Sequence, residues 1–190
     1  MSSPAASTVS SRSLLRRFRR NRKGDAVVQF ALVAPLFFAL LFAIIESAVM
    51  FAAQQVLETI TQNSARMIMT GQAQNAGYTQ AQFKTYVCSQ IPALFNCNSI
   101  YVDVESFPQF SSISFPASTD GTGNFINNMQ YNPGGSSSCP TTSVCQNSIV
   151  VVRLFYAWQL FVTGLGYNIS NMAGNQRLLI ATAVFRNEPY

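Results

Sequence analysis

The sequence predicts an α+β chain: a long N-terminal helix that crosses a membrane, a short second helix and an antiparallel sheet. Three observations predict it. Ala26 to Ile45 is a run of twenty residues with no ionisable group. Beyond it, apolar residues recur at three- and four-residue steps as far as Met67. The C-terminal part instead carries three β-prone stretches separated by turn-rich sequence.

The chain begins with a basic leader. Arg12, Arg16, Arg17, Arg19, Arg20, Arg22 and Lys23 hold seven of the twelve cations. This Ser/Arg-rich segment is too polar to build a core and is expected to be disordered. The cations stop where the apolar run begins, and the next is Arg66. The positive-inside rule therefore places the N-terminus in the cytoplasm and the chain after Ile45 across the membrane. The formal net charge of +5 misleads about partners. Five cations against seven acids remain after residue 23, a net charge of −2 that gives nucleic acid nothing to bind.

The apolar run has the length of a membrane span. At about 1.5 Å per residue, twenty residues reach roughly 30 Å, the thickness of a bilayer's hydrocarbon core. Pro35 is its one helix breaker, and transmembrane helices tolerate proline. A soluble core helix rarely stays apolar on every face for this length. A secretory signal has an apolar region of only about 7 to 15 residues. This run passes without a break into an amphipathic pattern, with Val49, Ala53, Val56, Ile60, Ser64 and Met67 as the apolar stripe. Gln54, Gln55, Glu58, Thr61 and Gln62 lie between them. One helix is thus expected from Ala26 to about Thr70, leaving the bilayer to lie against protein.

Gly71 and the segment 72–77 end that helix. Thr79, with Gln82 three residues on, forms a capping-box pattern that opens a short helix through about Gln90, closed by Pro92. Ile100, Val102 and Val104 alternate with Tyr101, Asp103 and Glu105, the period of a half-buried strand whose acids face solvent. Residues 108–148, rich in Ser, Gly, Asn, Pro and Thr, read as a long irregular loop. Ile149 to Leu160 and Leu178 to Phe185 are the remaining strands, with Gly164 and Gly166 in their connection. A sheet packed on the long helix buries both apolar faces. The expected organisation is a leader 1–24, a transmembrane and assembly helix 25–70, and an exported α+β domain 71–190.

The four cysteines fall into two local pairs, Cys88 with Cys97 and Cys139 with Cys145. An even count in an exported domain suggests disulfides. Three connectivities are possible and local pairing is the simplest. Zinc is disfavoured by the lack of histidine and by spacings that match no short metal-binding motif. The same lack of histidine removes the commonest general base. No serine-lysine or nucleophile-elbow motif is present, and Gly121-Thr122-Gly123 lacks the third glycine of a phosphate loop. The chain is expected to be no enzyme and to carry no cofactor.

Arg22-Lys23-Gly24, the polar Gln29, then Phe30-Ala31-Leu32-Val33-Ala34-Pro35-Leu36, Glu46 and Gln54-Gln55 form a pattern that resembles the TadE-like family. The terminal Ala183 to Tyr190 is similar to that family's ending too. The resemblance implies a minor pilin, or pseudopilin, of the tight-adherence type IV pilus machinery. It also implies a bacterial inner-membrane protein with a periplasmic C-terminal domain. A prepilin peptidase would cut between Gly24 and Asp25 on the cytoplasmic face, and the partners would be membrane lipid, other pilins and the inner-membrane assembly platform. Pilins usually carry glutamate at mature position five, where this chain has Gln29. An amide cannot neutralise a neighbouring subunit's ammonium group, which points to a filament tip or initiation complex rather than a bulk subunit. Ala39, Ala43 and Ser47 form a small-xxx-small ridge that would permit close helix approach. The other reading is an unprocessed, membrane-tethered scaffold or binding protein in which Gly24 is incidental.

Overall fold

The computed structural model describes residues 24–134, 148–163 and 167–187. The leader, Cys139 and Cys145, Gly164 and Gly166, and the last three residues lie outside the described residues. Two compact units divide the chain, Met1–Ile44 and Ile45–Tyr190.

Helix α1 runs from Asp25 to Met69 without interruption and contains Pro35. Asp25 stands in its first turn, where a carboxylate opposes the positive end of the helix dipole. In the first unit, side chains on every side of the helix are exposed, among them Phe30, Leu32, Leu36 and Phe42. The helix is long and apolar enough to cross a membrane, with none of its most apolar window buried by the chain itself. Such a surface, mostly apolar and mostly exposed, has lipid as its natural solvent.

In the second unit the same helix becomes one wall of a core. Met50, Ala53, Leu57, Ile60, Ser64 and Ile68 turn one face inward. The expected stripe therefore holds at Ala53, Ile60 and Ser64, with Val56 and Met67 half-buried, but Val49 is exposed and Met50 takes its place. Thr61, expected on the polar flank, is fully buried. Its hydroxyl donates to the Leu57 carbonyl of its own helix at 2.7 Å, so it enters the core with its polarity satisfied.

Gly71 ends the helix in the left-handed conformation at φ 72°, which costs a residue without Cβ nothing. A one-turn helix α2, Gln72–Asn75, follows where only a connecting segment was expected. Helix α3, Gln80–Ser89, opens as the sequence predicts. Thr79 Oγ1 accepts from the Gln82 N–H at 3.3 Å, and Thr79 N–H donates to Gln82 Oε1 at 2.8 Å. The Cys88–Cys97 disulfide joins the end of α3 to the turn that leads into the sheet.

The sheet has three antiparallel strands among the described residues, in the order β1 (Ile100–Phe107), β2 (Ile149–Gln159) and β3 (Gln176–Arg186). The register stacks Ile100, Tyr156 and Leu179, then Val102, Leu154 and Ala181, in cross-strand rows. These rows pack on α1 and on Phe83 and Val87 of α3 in one apolar cluster. The other face carries Tyr101, Phe155 and Ile180 in one row and Asp103, Arg153 and Thr182 in the next.

That second face corrects an expectation. Asp103 does not face solvent: it is 1% exposed. The irregular segment after β1 folds back over it, with Gln130 and Asn132 hydrogen-bonded to the Val104 backbone and Phe115 over Arg153. Asp103 Oδ2 accepts from Arg153 Nε at 2.9 Å and Nη2 at 2.5 Å, while Oδ1 accepts the Gln130 N–H at 2.7 Å. Glu105 adds a 3.2 Å contact to the same guanidinium. Alternation correctly puts Asp103 on the face opposite the helix, but that face is roofed.

Candidate functional site

The residues that sequence reasoning singles out lie along α1. Gly24 immediately precedes its first residue. A Cβ at Gly24 would meet nothing within 4 Å, and its φ lies outside the left-handed range. Among the described residues neither packing nor backbone conformation requires glycine there. The first-turn side chains interact across one helical step, where Gln29 Nε2 donates to Asp25 Oδ2 at 3.4 Å. Donation through nitrogen leaves the Gln29 carbonyl oxygen free to accept another donor.

Ala39, Ala43 and Ser47 follow at four-residue steps, so they share one helix face. Ala39 and Ala43 are half-buried among larger exposed neighbours. Ser47 differs, because its hydroxyl is hydrogen-bonded to the phenol of Tyr167 within the same chain. Of the expected disulfides, Cys88–Cys97 is formed with a Cα separation of 5.6 Å.

One cluster escaped sequence reasoning. Glu46 directly follows the apolar run, and its side chain is turned into the fold at 9% exposure. Oε1 accepts the Phe161 N–H at 2.5 Å and Oε2 accepts the Val162 N–H at 3.0 Å. One carboxylate therefore clamps two successive backbone donors of the β2–β3 connection, and Ser47–Tyr167 pins the same connection a few residues on. An acid at the end of an apolar run is visible in sequence. Its donors are not, since they lie 115 and 116 residues away.

Titration elsewhere follows local contacts. Burial, then the Asp103 charge, raise the Glu105 carboxyl above its ordinary value. The hydroxyl of Thr122, followed by the backbone and side chain of Asn124, holds the exposed Asp120 down to about 2. Burial pushes the Tyr131 phenol up to about 12. Among the described residues no three His, Cys, Asp or Glu side chains gather into a metal-binding group.

A helix that is bare from its first turn to Ile44, preceded by an unconstrained glycine and packed against a sheet from Glu46 onward, is the geometry on which the comparison bears. Residues 24–66 match the model of the TadE-like protein family. The TadE-like segment thus starts at Gly24 and stops in the packed half of α1, one turn before the helix ends. It covers both the bare and the packed stretch, and the β-strands lie outside it. The match covers 43 of the 190 residues and likens that segment alone to TadE-like proteins. No curated protein and no solved structure matches the chain significantly.

Proposed function

We propose that this chain is a minor pilin-like assembly subunit of a tight-adherence pilus, processed between Gly24 and Asp25 by a prepilin peptidase. Its leader lies in the cytoplasm and the α+β domain in the periplasm of a bacterial cell. The observation that carries the reading is Gly24 itself. The family match begins on a glycine that the folded chain does not need. A demand for glycine that no internal contact makes is best met by an outside agent, and a peptidase that must reach the backbone is such an agent. Cutting there removes the basic leader that holds the chain at the cytoplasmic face and keeps the whole of α1 for assembly.

The new terminus would carry an ammonium group on Asp25. Its own carboxylate lies beside it, and the amide of Gln29 is one helical turn away. The charge is compensated within the subunit, which weakens the usual reason to seek a neighbour's glutamate. This favours a place at a filament tip or in an initiation complex, with other pilins and the inner-membrane assembly platform as partners. Ala39 and Ala43 supply the close-approach face toward them.

The test is the intact mass of membrane-extracted protein. At 20.8 kDa over 190 residues, loss of residues 1–24 removes about 2.6 kDa. Gly24→Leu, whose side chain enters open space, should retain the full mass without loss of folding. A full-length native chain would overturn processing and favour a tethered scaffold.

A further inference from the structure

We infer that the connection leaving β2 is a second membrane contact, with Phe161 inserted in the outer interfacial layer beside the point where α1 leaves the bilayer. The inference rests on the reading of residues 26–45 as a membrane span. Glu46 is the residue immediately after that span, and it holds the backbone of Phe161 and Val162 directly. The connection is therefore tied directly to the residue that follows the span and is not held by loop length alone. There Phe161 is 85% exposed, more than Leu32 at 75% within the span. A phenyl ring so placed in water forfeits its burial, whereas in the interfacial layer it lies in the region where aromatic side chains concentrate.

Two further observations point the same way. Leu160 to Gln176 contains no charged residue, so no charge in the connection opposes contact with lipid. Tyr167, half-buried and bonded to Ser47, places a second amphipathic ring at the helix exit. The opposite end of the sheet provides the contrast. Ile149, where β2 begins, pairs with Phe107, and ten residue steps of strand at about 3.3 Å put roughly 33 Å between that end and Gln159. Phe110, three residues past Phe107, is also exposed, at 68%. It lies about a strand's length from the Glu46 clamp and serves as the control.

The experiment places single tryptophans at 161, 38 and 110 of the full chain, in a Trp158→Phe background. The proteins are reconstituted in phosphatidylcholine liposomes containing lipids brominated at shallow or deep acyl positions. Phe38→Trp should be quenched by bromolipid, most by the deep label, and Phe110→Trp by aqueous acrylamide alone. Phe161→Trp should be quenched by bromolipid, most by the shallow label. Quenching of Phe161→Trp by acrylamide alone, or by neither agent because protein covers it, overturns the inference while a quenched Phe38→Trp leaves the span standing. An unquenched Phe38→Trp overturns both. If Trp158→Phe does not fold, a photoreactive benzoylphenylalanine at 161 in the native background replaces the reporter. Adducts to lipid support the contact, and adducts to protein alone refute it.

Discussion

Asp103→Ala should be among the most damaging single changes in the second unit. The carboxylate is 1% exposed and its partner Arg153 side chain 10%. Removing it takes away both guanidinium bonds and the acceptor for the Gln130 N–H. Among the described contacts Arg153 would keep the longer one to Glu105, the ring of Phe115, whose centre lies 3.5 Å from its Cζ, and the more distant ring of Phe155. Breaking one side of a buried pair leaves an uncompensated charge and typically costs about 3–5 kcal/mol. A domain of ordinary stability has roughly 5–15 kcal/mol in total. With a urea dependence of about 1–3 kcal/mol per molar, the unfolding midpoint should fall by roughly 2 M. Trp158 reports the transition, since its ring contacts Phe95 and Tyr156 in the folded state. The measurement is urea unfolding of the full chain in detergent micelles. Asp103→Leu combined with Arg153→Met should recover most of the loss, because an apolar pair of similar size avoids the desolvation penalty. A midpoint for Asp103→Ala within about 0.5 M of the native protein, well inside the expected shift, would refute the roofed face and restore the solvent-facing Asp103 that alternation alone suggests.

Two further changes probe the clamp and the acid pair. Glu46→Gln retains one acceptor and loses the charge, so the Phe161 and Val162 amides should exchange with solvent about tenfold faster, the equivalent of about 1.4 kcal/mol; unchanged protection would show that the carboxylate does not hold the connection. Glu105 has its proton affinity raised in the fold by burial and then by Asp103. Its favourable contribution is therefore present below the ordinary value of 4.5 and is lost as pH rises through the folded value. Glu105→Gln should accordingly improve in melting temperature relative to the native protein between pH 4 and pH 7, and a relative decline across that window would contradict the sign.

What could be read from sequence was what depends on near neighbours. The Thr79–Gln82 box is complete within four residues, so its geometry follows from its spelling. The first strand is legible from its period of two and the other two from β-branched and aromatic composition, signals that survive any arrangement of the rest. The errors lie where distant chain intervenes. Asp103 was assigned to solvent because polar alternation usually means a wet face. The roof over it is built from residues 115–132, which carry no periodic signal. The Asp103–Arg153 pairing needed the β1–β2 register, set across a forty-residue connection. The helix stripe slipped at Val49 for a smaller reason: adjacent helical residues differ by about 100° in direction, and Met50 meets the sheet edge better. Glu46 was noticed only as part of a resemblance, since nothing local tells a buried glutamate from an exposed one.

The two stretches of the TadE-like segment are under different kinds of constraint. From Glu46 to Arg66, apolar positions meet β2, β3 and α3 of their own chain, so substitutions there register as lost stability. From Gly24 to Ile44 the large apolar side chains are exposed among the described residues. That stretch belongs to a different unit from the apolar core. It contains a glycine at which an added Cβ would meet nothing within 4 Å, an Asp25–Gln29 hydrogen bond, and alanines at four-residue steps on one helix face. These features suit the proposed reading of the bare stretch as the surface on which processing and assembly act, with the buried residues from Glu46 onward serving the fold of the second unit.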